Sequence, residues 1–490
     1  QTSLNSKLIK AGDTVHLQKE STFSITELKF IDGGSLSDGY ITIRGDDYGS
    51  GTKPVLNVVG GLNGIYIQKG SYINLHNFII DGNNRGIYSG VMVGGGEILG
   101  SISNIKITNL TIRNMGNSAG SYSNGIQVTA SGGHTISNLL FEGNDISGYS
   151  AHGINHYADK YRGNLHINTT YRNNYIHNPS SKRYSTAAAG IQIGSGGSGN
   201  VFEYNTIEGP NPDGQIFIFD CADNEDDIVI RYNVLKDNSV GNGIWLHKHD
   251  DAVLGITYGT TIYGNLISGN YKSGLYAGGG DSLILTARVY NNIFYNNDHQ
   301  TSYSETYDLG GEVYLHGYNR YNIYFKNNIL YHIPYGSKNY DIGINDKYNP
   351  SNIFEHSNNL YWHDSGSNGV AVYDNYRKIS YAVANIKSYE STAQNADPLF
   401  VDFTSLKPGQ TSPAVNYGTT LASKLAQISL DGKDRNINSP WDIGAYEYSE
   451  AISPPICIES NWQPINSSCL PTNTLTRIWT KIGNCNQTFG

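Results

Sequence analysis

The chain has 490 residues, of which 15% are charged, and a formal net charge of −9. That acidity argues against broad electrostatic binding to nucleic acid or anionic lipid, and no apolar run reaches the roughly 18 residues of a membrane span. With 38% hydrophobic residues, 57 glycines and 38 tyrosines, the chain carries enough apolar and aromatic side chains to exclude disorder.

The chain begins at Gln1 with no positively charged apolar leader, so any signal peptide is expected to have been removed. Ala11–Leu17 reads as a turn into a first strand, and residues 41–44 and 55–58 follow as strands. From there asparagine punctuates the chain. Asn77, Asn109, Asn144, Asn174, Asn205, Asn233, Asn265, Asn292, Asn328 and Asn359 recur at intervals of 27 to 36 residues, each opening a short apolar step. Such a period predicts a solenoid. Between the asparagines lie strands of four or five residues separated by Gly, Asn, Asp and Ser, with no helical pattern. A parallel coil of about three strands per turn fits them, each coil hydrogen-bonded to its neighbours. Stacked asparagines are expected to hold the turns in left-handed geometry and to bond amide to amide between coils.

Within each repeat a glycine-led strand recurs, as in Gly125-Ile-Gln-Val, Gly190-Ile-Gln-Ile, Gly243-Ile-Trp-Leu and Gly274-Leu-Tyr-Ala. Alternation sends Ile126, Val128, Ile191, Ile193, Ile244, Leu246, Leu275, Ala277, Val313 and Leu315 inward. It sends Gln127, Asn155, Gln192, Phe217, Trp245, Tyr276 and Tyr314 outward, with Tyr157, Phe219, His247 and His316 beside them. An aromatic row rising about 4.8 Å per coil suits sugar rings or a protein neighbour, unless loops fold over it.

Beside this row lies the most charged part of the chain. Asp220, Asp223, Glu225, Asp226 and Asp227 follow one strand, and His247, Lys248, His249, Asp250 and Asp251 end the next. The acids form a candidate calcium site. Lys248, with His247, His249 and Asp250, is the catalytic candidate, although nearby acids raise a lysine pKa and oppose its use as a base. Two carboxylates roughly 5–10 Å apart would instead serve a hydrolase. A second polar group, His152, His156, Asp159, Lys160 and Arg162, is weaker, because His156 has the inward parity of a core histidine. No zinc spacing or phosphate loop is present. Gly194-Ser-Gly-Gly197 and Gly278-Gly-Gly280 follow strands without helices and read as turns.

After about residue 385 the repeat stops. Asp397-Pro-Leu-Phe-Val-Asp402, Ser412-Pro-Ala-Val415, Asp431-Gly-Lys-Asp-Arg435 and Asp442-Ile-Gly-Ala-Tyr-Glu-Tyr448 follow, and then a segment with Cys457, Cys469, Cys485, Trp462 and Trp479. The expected organisation is a β-helix over residues 1–385, a trailer over 386–452 and a small Cys/Trp module over 453–490. Three cysteines leave one without a partner inside the module, so the chain either continues or pairs Cys485 within it. Cys221, alone in the repeats, reads as a small buried hydrophobe. The sequons at Asn168, Asn466 and Asn486 permit glycosylation.

On the Asn-punctuated repeats, on Lys10-Ala-Gly-Asp-Thr-Val15 and on the 397–448 motifs, the chain resembles right-handed parallel β-helix proteins of the pectate-lyase-like superfamily. The resemblance implies an all-β, right-handed parallel β-helix. It also implies two classes of function, because the superfamily holds both enzymes and non-enzymatic surface proteins. The first is an extracellular, structural or adhesive surface protein, self-associating or binding other surface proteins, with polysaccharide as a further partner. The second is a polysaccharide lyase or epimerase on acidic glycans, with Lys248 as base and calcium neutralising the uronate.

Overall fold

The computed structural model describes residues 9–95, 100–158, 165–182, 188–194, 197–219, 228–248, 257–279, 284–300, 310–316, 320–335, 340–345, 353–375, 377–421, 425–435, 439–448, 462–466 and 477–481. Residues 1–447 form one compact unit and 448–490 a second.

The first unit is an all-β parallel solenoid of three long sheets. Sheet A runs from Thr14–His16 to Ile353–Ser357, sheet B from Thr22–Ile25 to Leu360–His363, and sheet C from Leu28–Phe30 to Val370–Asp374. Among the described residues they have 13, 12 and 13 strands. The chain visits A, B and C in turn and returns one rung along. Sheet C ends on an antiparallel strand, Ile379–Ala382, followed by a short helical segment, Val383–Ser388, that buries Val383 and Ile386 over the last coil. Alternate residues fill one continuous interior, including all ten expected from the glycine-led strands. The glycines heading those strands are steric necessities. A Cβ on Gly153 would lie 2.4 Å from Ile176 Cγ2 and 2.6 Å from the carbonyl of Gly190.

The asparagines divide into two columns. Asn144, Asn174, Asn205, Asn233, Asn265, Asn292, Asn328 and Asn359 are buried and form the amide ladder. Each Nδ2 donates to the next Oδ1 at 2.9–3.1 Å, and each backbone N–H donates to the same oxygen. The second amide hydrogen binds a carbonyl of the preceding coil, as in Asn174 to Phe141 at 2.8 Å. Asn359 passes the ladder to Glu390, donating from N at 2.7 Å and from Nδ2 at 3.0 Å.

Asn77 and Asn109, expected in this column, stand one residue earlier. Rung pairing places Phe78 and Leu110 at the ladder position. Asn77 and Asn109 belong with Gly143, Asn173, Tyr204, Tyr232, Gly264, Asn291, Asn327 and Asn358 in a corner column whose φ lies between 52° and 66°. In the eight-residue ladder, left-handed geometry and amide bonding are therefore carried by adjacent residues.

The trailer packs on the outer face of sheet B. Val234, Leu266, Ile293, Ile329 and Leu360 stack rung on rung there. They meet Leu406, Ala414, Ile443, Ala445, Tyr446 and Phe400 of the trailer. Arg435 locks it from within. Its guanidinium donates to Glu447 Oε2 at 2.7 Å and to the carbonyls of Asp442 and Gly444. In the second unit Trp462–Asn466 pairs antiparallel with Arg477–Lys481. All four cysteines lie outside the described residues.

Asn233→Ala should cost about 3 kcal/mol or more, because it strands buried donors and acceptors on both adjoining rungs. Asn77→Gly should stay within about 1 kcal/mol, because glycine adopts positive φ freely. Urea unfolding of the two variants checks the difference.

Candidate recognition face on sheet C

Sheet C aligns the expected outward row in strict register. Gln127, Asn155, Gln192, Phe217, Trp245, Tyr276 and Tyr314 pair in succession. The first three are amides joined along the row. Asn155 Nδ2 donates to Gln127 Oε1 at 3.0 Å, and Gln192 Nε2 donates to Asn155 Oδ1 at 3.3 Å. The other four are aromatic. Ring centroids are 4.7 Å apart for Phe217 and Trp245, 5.4 Å for Trp245 and Tyr276, and 5.1 Å for Tyr276 and Tyr314. These distances match one rung, so backbone register sets the stacking.

A second row lies beside it. Phe219 and His247 stack at 5.4 Å. His247 stands edge-on to Trp245 at 5.1 Å. His316 lies against Gly278, where a Cβ would come within 2.6 Å of the histidine Cβ.

Outward parity does not mean exposure here. Tyr314 is fully buried among Tyr276, Tyr340, Val370 and Tyr373, and Gln127, Asn155, Phe217 and His316 are buried too. Gln192, Phe219, Trp245, His247 and Tyr276 are half-buried, and Tyr157 is exposed. Whether this row is open or covered, left undecided by the sequence, is answered by packing: the row is packed, with a partly accessible middle. Burial wins because rings one rung apart shield each other, and the large row covers its own flanks. Trp245 Nε1 is buried without a hydrogen-bond partner among the described residues.

Most of the charged candidates fall outside the described residues. Asp220, Asp223, Glu225, Asp226, Asp227, His249, Asp250 and Asp251 are outside the described residues. Lys248 is the last residue of the strand Asn242–Lys248 and pairs with Gly279 on the next rung. Among the described residues no group of three or more His, Cys, Asp or Glu is arranged to hold a metal ion, and no helix is long and apolar enough to cross a membrane. In the second polar group, His152 Nδ1 accepts from the Ala189 N–H at 3.1 Å, and His156 Nδ1 meets the Tyr171 hydroxyl at 2.5 Å inside the core. Both histidines have structural partners. Asp159, Lys160 and Arg162 lie outside the described residues.

A charged column on the outer face of sheet A escaped sequence reasoning. Glu142, Arg172, Glu203 and Arg231 occupy successive rungs and end on Tyr263. Nearly buried Glu203 accepts from Arg172 at 2.5 Å and from Arg231 Nε at 2.7 Å, and Arg231 Nη1 donates to the Tyr263 hydroxyl at 2.9 Å. Burial acts to lower the Arg231 pKa, but its bonds to Tyr263 and Glu203 outweigh this and raise it. Each charge stands two residues before a ladder asparagine, so the alternation was readable once the column was fixed.

With this geometry in place, the chain can be set beside known proteins. Residues 89–298 match the family described as the right handed beta helix region. The three-sheet parallel solenoid and this match together describe a right-handed parallel β-helix. No curated protein matches the chain by sequence. Among solved structures, pectate lyase Pel9A is similar at 14% identity and a TM-score of 0.48, covering 91% of this chain and 90% of its own. PfbA, a surface adhesin of Streptococcus pneumoniae, is similar at 11% identity and a TM-score of 0.48, covering 78% and 90%. A mannuronic acid specific family 6 lyase from human gut microbiota follows at 13% and 0.47, covering 81% and 91%. At these identities the likenesses concern the fold alone.

Tyr314→Ala should destabilise the protein by about 3–4 kcal/mol, as an interior aromatic deletion does. Gln192→Ala, at the half-buried end of the amide row, should cost about 1 kcal/mol or less. Chemical denaturation of both separates the packed part of the row from its accessible part.

Proposed function

We propose that this chain is an extracellular or cell-surface β-helix that acts by contact, with the accessible middle of the sheet C row as its contact face. The preferred partner is another protein surface, including a second copy of the chain, and polysaccharide is a further ligand. The observation that carries this reading is a pair of adjoining rows in which Gln192, Trp245 and Tyr276, and beside them Phe219 and His247, are half-buried and held by their neighbours. Rings locked before binding lose little entropy on contact, which favours their use in recognition. The exposed sequon residue Asn168 fits the same compartment.

A second reading is a polysaccharide lyase or epimerase. It is favoured by one observation, that Lys248 closes the strand carrying Trp245 and His247. In that reading Lys248 takes the proton beside a uronate, assisted by His247, His249 or Asp250. Asp220, Asp223, Glu225, Asp226 and Asp227 then hold calcium against the substrate carboxylate.

One set of measurements separates the two. In the contact reading, sedimentation and electron microscopy of the purified chain find concentration-dependent self-association or attachment to envelope material. The double change Trp245→Ala and Tyr276→Ala weakens it by about tenfold or more, as for interface anchors. In the catalytic reading, uronate polysaccharides with calcium yield unsaturated ends or epimerised residues, and Lys248→Ala abolishes the product. A monomer that binds no envelope material and leaves the polysaccharides unchanged defeats both.

A further inference from the structure

In the interior column that heads the sheet C strands, glycine recurs for the steric reason given above. Rung pairing places Gly190, Gln215, Gly243, Gly274, Glu312, Asp341 and Ala371 in succession. Three polar side chains interrupt it. Gln215 is neutral and fully paired. Its Nε2 donates to the Lys236 carbonyl at 2.8 Å, and its Oε1 accepts from Asn211 at 2.6 Å. Glu312 and Asp341 are acids on consecutive rungs, about 4.8 Å apart along the sheet, and both have no solvent exposure. Glu312 accepts from Asn297 N at 2.9 Å and Nδ2 at 2.5 Å and faces His332 Nδ1 at 3.0 Å. Neither oxygen of Asp341 has a hydrogen-bond partner among the described residues.

Two ionised carboxylates on neighbouring rungs of a dry interior, one of them without a hydrogen-bond partner among the described residues, would repel each other, an arrangement that proteins avoid by neutralisation. We propose that Glu312 and Asp341 store a proton between two rungs at neutral pH, and that its release loosens the last coils of the solenoid, making this end of the molecule alkali-sensitive. Burial pushes both carboxyls well above the usual carboxylate range, and the Glu312 charge pushes Asp341 further. The titratable groups around the pair are His332, which faces Glu312 and has the His363 ring 5.1 Å from its own, Tyr295, which feels the Glu312 charge, and Tyr361, which feels the charges of Asp341 and Glu390. A raised folded-state pKa means that the native chain holds more protons than the unfolded chain above about pH 4. The stabilisation is complete below that pH and declines as pH rises through the folded-state values.

Thermal unfolding of the full chain, Asp341→Ala and Glu312→Gln at about pH 5 and about pH 9 tests this. Alanine fits the column, as Ala371 does on the next rung. The Asp341→Ala midpoint should exceed that of the natural chain at the higher pH by at least about 2 °C and should lose most of that advantage at the lower pH. An equal shift at both pH values overturns the proposal. Infrared spectroscopy of the folded natural chain at neutral pH supplies a readout that does not depend on a variant folding. The carbonyl stretch of a buried protonated carboxylic acid should be present, and it should weaken in Asp341→Asn or Glu312→Gln. Its absence from the natural chain overturns the proposal as well.

Discussion

Every rung of this protein is hydrogen-bonded in register to the rungs above and below, and that constraint turns a sequence into a set of columns. A side chain is judged less by its neighbours along the chain than by the residues about thirty positions away. The amide ladder is the clearest case. Eight asparagines satisfy one another's donors and acceptors from Asn144 to Asn359, and the series closes on the Glu390 carboxylate at the C-terminal cap. Because each rung supplies what the next requires, the ladder also fixes the phase of the coil and with it every other column.

The columns differ in what they do. On sheet B, an aliphatic column from Val234 to Leu360 lies under the trailer, and on earlier rungs the same position is polar, with Thr206, Tyr175, Asp145 and Thr111. On sheet A, acids and arginines alternate and neutralise each other around Glu203. On sheet C, amides give way to aromatic rings, so one flank combines polar rigidity at one end with ring stacking at the other. In the contact role proposed for this flank, packing that is already set leaves little to reorganise.

The interior follows the same logic in reverse. Its columns admit only what the approach of the next coil allows. That explains both the run of glycines heading the sheet C strands and the exceptional position of Glu312 and Asp341. The trailer motifs also acquire a physical purpose. Arg435 and Glu447 meet inside the trailer beside the Asp442–Gly444 carbonyls, holding an irregular segment together without a sheet.

The asparagine period and the alternation of the glycine-led strands were enough to read the coil, the inward set and the aromatic row, because both patterns repeat with the spacing of the backbone. They could not separate Asn77 and Asn109 from the ladder. A shift of one residue leaves the period unchanged and appears only when strands pair, which places Phe78 and Leu110 in the ladder column instead. They also could not decide exposure. Parity tells which side of a strand a ring leaves, but only packing against Tyr276, Tyr340 and Tyr373 buries Tyr314. The glutamate and arginine column on sheet A was present in the sequence two places before Asn144, Asn174, Asn205 and Asn233, yet it gained meaning only when neighbouring rungs brought opposite charges together. Periodicity is a property of the chain itself, whereas register and burial depend on contacts between distant segments, and those exist only in the folded solenoid.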